Sequence, residues 1–173
     1  PQSSPIPALV SLLCDKSFEV YSTDPIKSPS AIEGGKMRQF DVAVAFPPVG
    51  QRHDLRIIDQ DWFGRFPERT PAGAVLALRH MLSQAKRRVV IGVPNSLLFS
   101  PGAERQLREF LINKGIIQSV IAMPTGLLAW SNIPFTILVL DPSAAHERIR
   151  FINADSGVYK ESLSKAKCRL QNI

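Results

Sequence analysis

Phe40-Asp41-Val42-Ala43-Val44-Ala45-Phe46-Pro47-Pro48-Val49-Gly50 is the stretch on which the reading of this chain turns. Its first half is a short valine-rich apolar run, which reads as a strand buried on both faces. Its second half cannot continue that strand, because two successive prolines remove two backbone donors and fix two φ angles. The chain must leave the sheet at Phe46 with a stiff geometry. A rigid loop at the carboxyl end of a buried strand is where open α/β sheets place their ligands.

Working outward, the upstream residues 1–38 are the least regular part, punctuated by Pro1, Pro5, Pro7, Pro25 and Pro29. They leave room for a short helix near 8–13, a strand near 18–21 and a loop at Glu33-Gly34-Gly35-Lys36. Downstream, a long polar and aromatic connection, 51–69, carries Trp62, Phe63 and Phe66. Thr70 and Pro71 then give an N-cap and first-turn signature. Ala74, Leu78, Met81, Leu82 and Ala85 share one helical face, ending at the basic cluster Lys86-Arg87-Arg88. Val89-Val90-Ile91-Gly92-Val93 is a second strand stopped by Pro94, and Ser100-Pro101 opens a helix with Ala103, Leu107, Phe110 and Leu111 inward. Residues 117–123 form a third strand stopped by Pro124, 135–140 a fourth and 148–152 a fifth, with a polar helix at 161–170.

Strands alternating with helices predict an α/β fold, a doubly wound and mostly parallel sheet. No helix fits between the third and fourth strands, so at least one late strand runs antiparallel. Three strands end in proline, and parallel strands would bring those ends to one crevice. The expected organisation is an irregular segment 1–38, an α/β domain 39–160 and a polar helix or tail 161–173.

With 173 residues and 45% hydrophobic composition, the chain suits one domain with a sizeable core. No apolar run approaches the ~20 residues that cross a bilayer, so it reads as soluble, with no membrane partner. It begins at Pro1 without a signal-peptide pattern and reads as a piece of a longer protein. Cys14 and Cys168 lack metal-ligand spacing, which points to a reduced, cytoplasmic setting without a metal site. A net charge of +6 and a pI of about 9.7 favour a polyanionic partner such as nucleic acid, with a merely solvated basic surface as the plainer account.

Four fragments, in order, carry a family resemblance. They are Asp41 leading into Phe46-Pro47-Pro48-Val49, then Ile91-Gly92-Val93-Pro94-Asn95-Ser96-Leu97-Leu98-Phe99. Val120-Ile121-Ala122-Met123-Pro124 with Asn132-Ile133-Pro134-Phe135-Thr136-Ile137-Leu138-Val139-Leu140 follows, then Phe151-Ile152-Asn153-Ala154. From about Asp24 to Asn172 the chain resembles the adenine-specific DNA N6-methyltransferases, in particular the modification subunit of type I restriction-modification systems. The resemblance implies a Rossmann-like fold, S-adenosylmethionine as cofactor, DNA as substrate, and specificity and restriction subunits as partners.

It also exposes two departures. In the family the motif is Asn-Pro-Pro followed by Phe or Tyr: the Asn and the next backbone carbonyl accept the adenine amine's hydrogens, and the aromatic stacks on the flipped base. Here Phe46 offers no acceptor and Val49 no π face. The family's glycine-rich cofactor loop is also missing, and Asp24-Pro25-Ile26 matches only its later acidic contact. The expectation is that this chain alone neither binds the cofactor nor methylates.

Candidate site residues are therefore Phe46, Pro47, Pro48 and Val49 as degenerate catalytic positions, and Asp24 and Asp41 on the cofactor side. Arg52, Arg56, Trp62, Arg65, Arg69 and Asn95 are candidates toward DNA, with His53 beside them. Each has a plainer reading as turn, cap, core cover or solvated surface, and His80 and His146 read as helix-surface and loop residues. Two functions stand: a non-catalytic module for DNA binding or subunit docking, or a methyltransferase that is active once joined to its missing cofactor-binding half.

Overall fold

The computed structural model describes residues 19, 21, 23–128, 132–164 and 166–172. The helix expected at 8–13 and half of the strand expected at 18–21 lie outside them. A hairpin, β1 (Ile32–Glu33) and β2 (Lys36–Met37), turns through Gly34 and Gly35 at φ of 56° and 74°, backbone only glycine adopts readily. The main sheet contains β3 (Phe40–Ala45), β4 (Ala85–Pro94), β5 (Ile117–Ala122), β6 (Phe135–Leu140) and β7 (Arg150–Asn153), in the spatial order β3-β4-β6-β5-β7.

β3 pairs parallel to β4, and β5 parallel to β7, while β6 runs antiparallel between β4 and β5. The antiparallel strand thus sits inside the sheet. Because β6 opposes both of its neighbours, β3, β4, β5 and β7 all point the same way. The helices are α1 (Arg56–Asp59), α2 (Gly73–Gln84) and α3 (Ala103–Asn113).

The register explains the core. Val89, Ile91 and Val93 share a face with Leu140, Leu138 and Thr136, and that face meets Val75, Leu78 and Met81 of α2 and Leu107 and Leu111 of α3. Each fully buried Leu, Ile or Val contributes about 1.5–3 kcal/mol. β3 offers this face only Ala43 and Ala45, opposite Ala74 and Ala77, so small residues on both elements let α2 lie close to the edge strand.

Three expectations are corrected here. β3 is not buried on both faces: Val42 and Val44 are 52% and 73% exposed, and the strand is an edge. The polar helix expected at 161–170 is a hairpin, β8 (Lys160–Ser162) against β9 (Cys168–Leu170), held across the strands by Arg169 Nε to Glu161 Oε2 at 2.7 Å. Thr70 is not the helix N-cap. Its Oγ1 accepts from Ala72 N at 3.2 Å, and Ala72 holds the cap position.

Candidate functional site

The tips of β3 and β4 frame a crevice at the carboxyl edge of the sheet. Ala45 pairs with Ile91, which sets Phe46 beside Gly92. The Phe46 ring occupies the place a side chain at 92 would take: a Cβ there would lie 2.2 Å from its Cδ2. On its other side the ring meets Phe135 edge-to-face, centroids 5.0 Å apart at 87°. Phe46 is nonetheless 46% exposed, so it lids the tip.

This packing predicts a coupling. Gly92→Ala is expected to cost about 1–3 kcal/mol by driving the ring out. In a Phe46→Ala background the same change should cost close to nothing, which a double-mutant cycle of urea unfolding measures. Equal costs in both backgrounds would remove the steric account.

After Pro48 the chain turns through Gly50 at φ 75° and is stitched to the start of α2. Arg52 bridges Ala72, His53 N donates to Pro71 O at 2.9 Å, and Gly73 N donates to Gln51 O at 2.9 Å. A Cβ at Gly73 would stand 2.6 Å from that same oxygen, so only glycine permits the approach.

The other two tips contribute less. Asn95 begins a single 3₁₀ turn, Asn95–Leu98, and its Oδ1 accepts from Thr136 Oγ1 at 2.8 Å. Thr136 is 1% exposed, so the acceptor is committed to the neighbouring strand. Met123 and Pro124 are buried, and Cys168 N of the β8–β9 hairpin donates to Gly126 O at 3.2 Å. The third proline-ended strand points to the same edge, but its tip is covered.

The residues expected toward DNA divide sharply. Arg65 is 6% exposed and cannot meet a phosphate. Its Nε donates to Asp61 Oδ1 at 2.8 Å, Nη1 to Pro25 O at 2.9 Å and Nη2 to Ile26 O at 2.9 Å, while the guanidinium lies 4.5 Å from the Phe66 ring centroid. It is a clamp between the 24–26 turn and the aromatic connection. Arg56 and Arg69 are exposed but paired, with Asp54 and Asp59, each at 2.5 Å. Arg52 is exposed and lines a hollow of about 210 Å³ with Gly73, Pro94 and Glu104. Trp62 is 95% exposed on the loop that the Asp61–Arg65 pair closes.

On the cofactor side, Asp24 caps its own turn: Oδ1 accepts from Ile26 N at 2.9 Å and Lys27 N at 3.4 Å. Asp41 is exposed at the start of β3, at the edge of the sheet opposite the crevice.

Two histidines prove more informative than their sequence suggested. A cleft of about 350 Å³ runs between the Asp24 turn, Phe46-Pro47-Pro48 and α2, and both His53 and His80 line it. His80 is 7% exposed rather than a helix-surface residue. Arg65 Nη1 lies 2.8 Å from its Nδ1 and can only donate, so Nδ1 is the acceptor and Nε2 carries the proton. Burial first, and the Arg65 charge second, lower its pKa to about 4, which keeps the ring neutral at pH 7. The clue in the sequence was spacing: His80 follows the apolar Leu76 and Ala77 by one helical turn, and Ala77, His80 and Met81 all line the cleft.

The residues present do not fit S-adenosylmethionine as a complete site. Among the described residues Asp24 is the one carboxylate lining the cleft, and it is already engaged by its own turn. Neither Gly34 nor Gly35, the closest approach to a glycine loop, lines it. Among the described residues no group of His, Cys, Asp or Glu could hold a metal, and no helix is long and apolar enough to cross a membrane.

The chain is 26% identical over 153 residues to the methylase subunit of the type I restriction enzyme MjaVII from Methanocaldococcus jannaschii, covering 80% of this chain and 26% of that one. The type I restriction-modification methyltransferase subunit from Streptococcus thermophilus superposes with a TM-score of 0.67 at 22% identity, over 86% of this chain and 32% of that one. A modification subunit assigned to a type I restriction enzyme of Vibrio vulnificus YJ016 gives 0.73 at 20% identity, over 92% and 33%. This chain therefore spans between a quarter and a third of the length of these relatives. The N-6 DNA methylase family model matches residues 13–173. Proline-ended parallel strands around a crevice, an antiparallel strand inserted beside them and that match along nearly the whole chain place this protein in the N-6 DNA methylase family.

Proposed function

We propose that this chain is an adenine N6-methyltransferase domain, of the type I modification-subunit kind, that is catalytically silent alone and serves as a docking module. The observation that carries the reading is Phe46 packed on Gly92 and Phe135. An amine whose lone pair is conjugated with its ring needs acceptors for its hydrogens before it can attack a methyl group. The position that should supply one holds a hydrocarbon ring instead. Stacking a base is no better served, since Val49, 38% exposed, has no aromatic face.

Docking is supported by the edge of β3. It is an edge strand with Val42 and Val44 exposed and neither proline nor lysine within it, and beyond the register shift between Phe40 and Val42, where Asp41 lies, its residues 42–45 are apolar and evenly paired. Such an edge is a template for an added strand. A cavity of about 570 Å³ lies beside its first residue, Phe40, bounded by Thr23, Pro29, Arg38 and Gln84. The partner that suits it is the remainder of a methyltransferase sheet, carrying the cofactor loop, with specificity and restriction subunits beyond it and DNA as the shared ligand. The cytoplasm is the compartment that this assignment entails.

The test is calorimetric titration of the chain with S-adenosylmethionine, for which no saturable heat is expected. Saturable binding would overturn the silent reading and favour an active enzyme. In the full-length context, Phe46→Asn with Val49→Phe should raise methyl transfer to adenine above the parent. If the parent already methylates, the plug is irrelevant.

A further inference from the structure

The positive surplus of this chain does not lie at the crevice. Around the crevice Arg56 is neutralised by Asp54, Arg65 by Asp61 and Arg69 by Asp59, which leaves Arg52 as the exposed cation there outside the ion pairs of the described residues. Lys86, Arg87, Arg88, Lys114, Arg148 and Arg150 are all exposed, and among the described residues none forms an ion pair.

The topology gathers these six at one place. β4, β5 and β7 run in one direction, so Lys86, Arg87 and Arg88 at the start of β4, Lys114 ahead of β5, and Arg148 and Arg150 at the start of β7 share the amino edge of the sheet. From Arg88 to Pro94 the strand spans about 20 Å at ~3.3 Å per residue, so this edge stands well away from the crevice. Register sharpens the placement. Arg88 pairs with Val42, and Arg150 with Ser119, whose partner is Val139 and then Val90. Arg88 and Arg150 therefore project from the same face, opposite to the one packed on α2 and α3.

Between β4 and β7 lie β6 and β5, three interstrand steps and so about 14 Å. That separation is close to the ~12 Å width of the B-DNA major groove, across which phosphates flank a duplex. Among the described residues the carboxylates at or beside this edge outside ion pairs are Asp41, Glu147 and Glu33 of the β1–β2 hairpin, while Asp141 is held by Ser143 and faces His146. We infer that the amino edge of the sheet, from Lys86-Arg87-Arg88 to Arg148 and Arg150, is a sequence-independent duplex-DNA backbone surface, separate from the crevice. The inference concerns phosphate contact alone and holds whether or not the crevice can methylate.

The experiment is fluorescence anisotropy with a labelled 20-base-pair duplex titrated between 50 and 200 mM salt, on the whole chain. Each phosphate that is no longer neutralised should shallow the slope of log K against log salt by about 0.9. Lys86→Gln/Arg87→Gln/Arg88→Gln should therefore reduce it by between two and three, and Arg148→Gln/Arg150→Gln by between one and two. Arg56→Gln/Arg69→Gln, which removes two paired cations, should leave affinity within about twofold. All seven substituted positions are exposed, and unchanged circular dichroism and melting would show that the variants stay folded. Loss of binding with the crevice-side pair but not with the edge triple would overturn the assignment. So would duplex binding too weak to measure at 50 mM salt alongside tight binding of poly-glutamate, which would hand the surface to an acidic protein.

Discussion

Arg65→Met is expected to lower the unfolding free energy by about 3–5 kcal/mol, because it strands the buried Asp61 carboxylate without its partner. Both side chains are 2% exposed, and the guanidinium also satisfies the carbonyls of Pro25 and Ile26 and the Nδ1 of His80. Methionine matches the aliphatic stem and the packing on Phe66, so the loss reports polar partners left unpaired rather than a cavity. Urea unfolding measures it, with Arg56→Met as the comparison. That pair is exposed to solvent that screens it, so its loss should be small beside that of Arg65. Adding Asp61→Asn to Arg65→Met should recover part of the loss, since an unpaired amide is cheaper to bury than an unpaired carboxylate. A change below about 1 kcal/mol for Arg65→Met would mean that water reaches Asp61 and that the clamp is weak.

The contrast between Arg65 and Arg56 shows where sequence reasoning stops. Both are arginines in the same polar connection, each with an aspartate a few residues earlier, and both looked equally suited to phosphate. What separates them is tertiary. The 24–26 turn folds back over residues 61–66, and its two carbonyls need donors that the local chain does not provide. Nothing in a window of neighbouring residues encodes that return.

Most strands and helices from Phe40 to Leu140 were legible because their apolar periods are regular and prolines or glycines mark their ends, but α1 falls inside the connection expected at 51–69, and Lys86-Arg87-Arg88, expected at the end of a helix, belong to β4. The inner placement of β6 was legible only in part: the short link before it required a reversal, but not which neighbours it would take. β3 misled because a continuous apolar run is the signature of burial on two faces, and the described residues supply a cover for only one. The carboxyl-terminal hairpin was missed because Lys160-Glu161-Ser162 and Cys168-Arg169-Leu170 are too short and polar for alternation to register. Their cross-strand Glu161–Arg169 pair becomes visible only once the strands face each other. At the crevice, the loss of the Asn acceptor could be read directly, whereas the support of Phe46 by Gly92 and Phe135 required the register of three strands.

His80 supplies the second large effect, and its sign follows from which state prefers the proton. Its folded pKa, about 4, lies below the ordinary histidine value of 6.5, so between those values the unfolded chain binds a proton that the native chain refuses. Stability should therefore be intact above about pH 6.5, fall as the pH drops toward 4, and lose nothing further from this group below that. The gap of roughly two and a half pH units corresponds to about 3 kcal/mol at full development. Arg65 opposes protonation directly, while Asp61 and Asp24 pull weakly the other way. Carboxylates elsewhere titrate over the same range, so the informative quantity is the difference between the parent and His80→Asn, whose side-chain oxygen can still accept from Arg65. Measured by urea unfolding at intervals from pH 7 to pH 4, the parent's advantage should shrink by about 3 kcal/mol across that window. A constant difference would mean that His80 charges without penalty, and that the cleft beside it is wet enough to solvate an imidazolium despite the guanidinium lying against it.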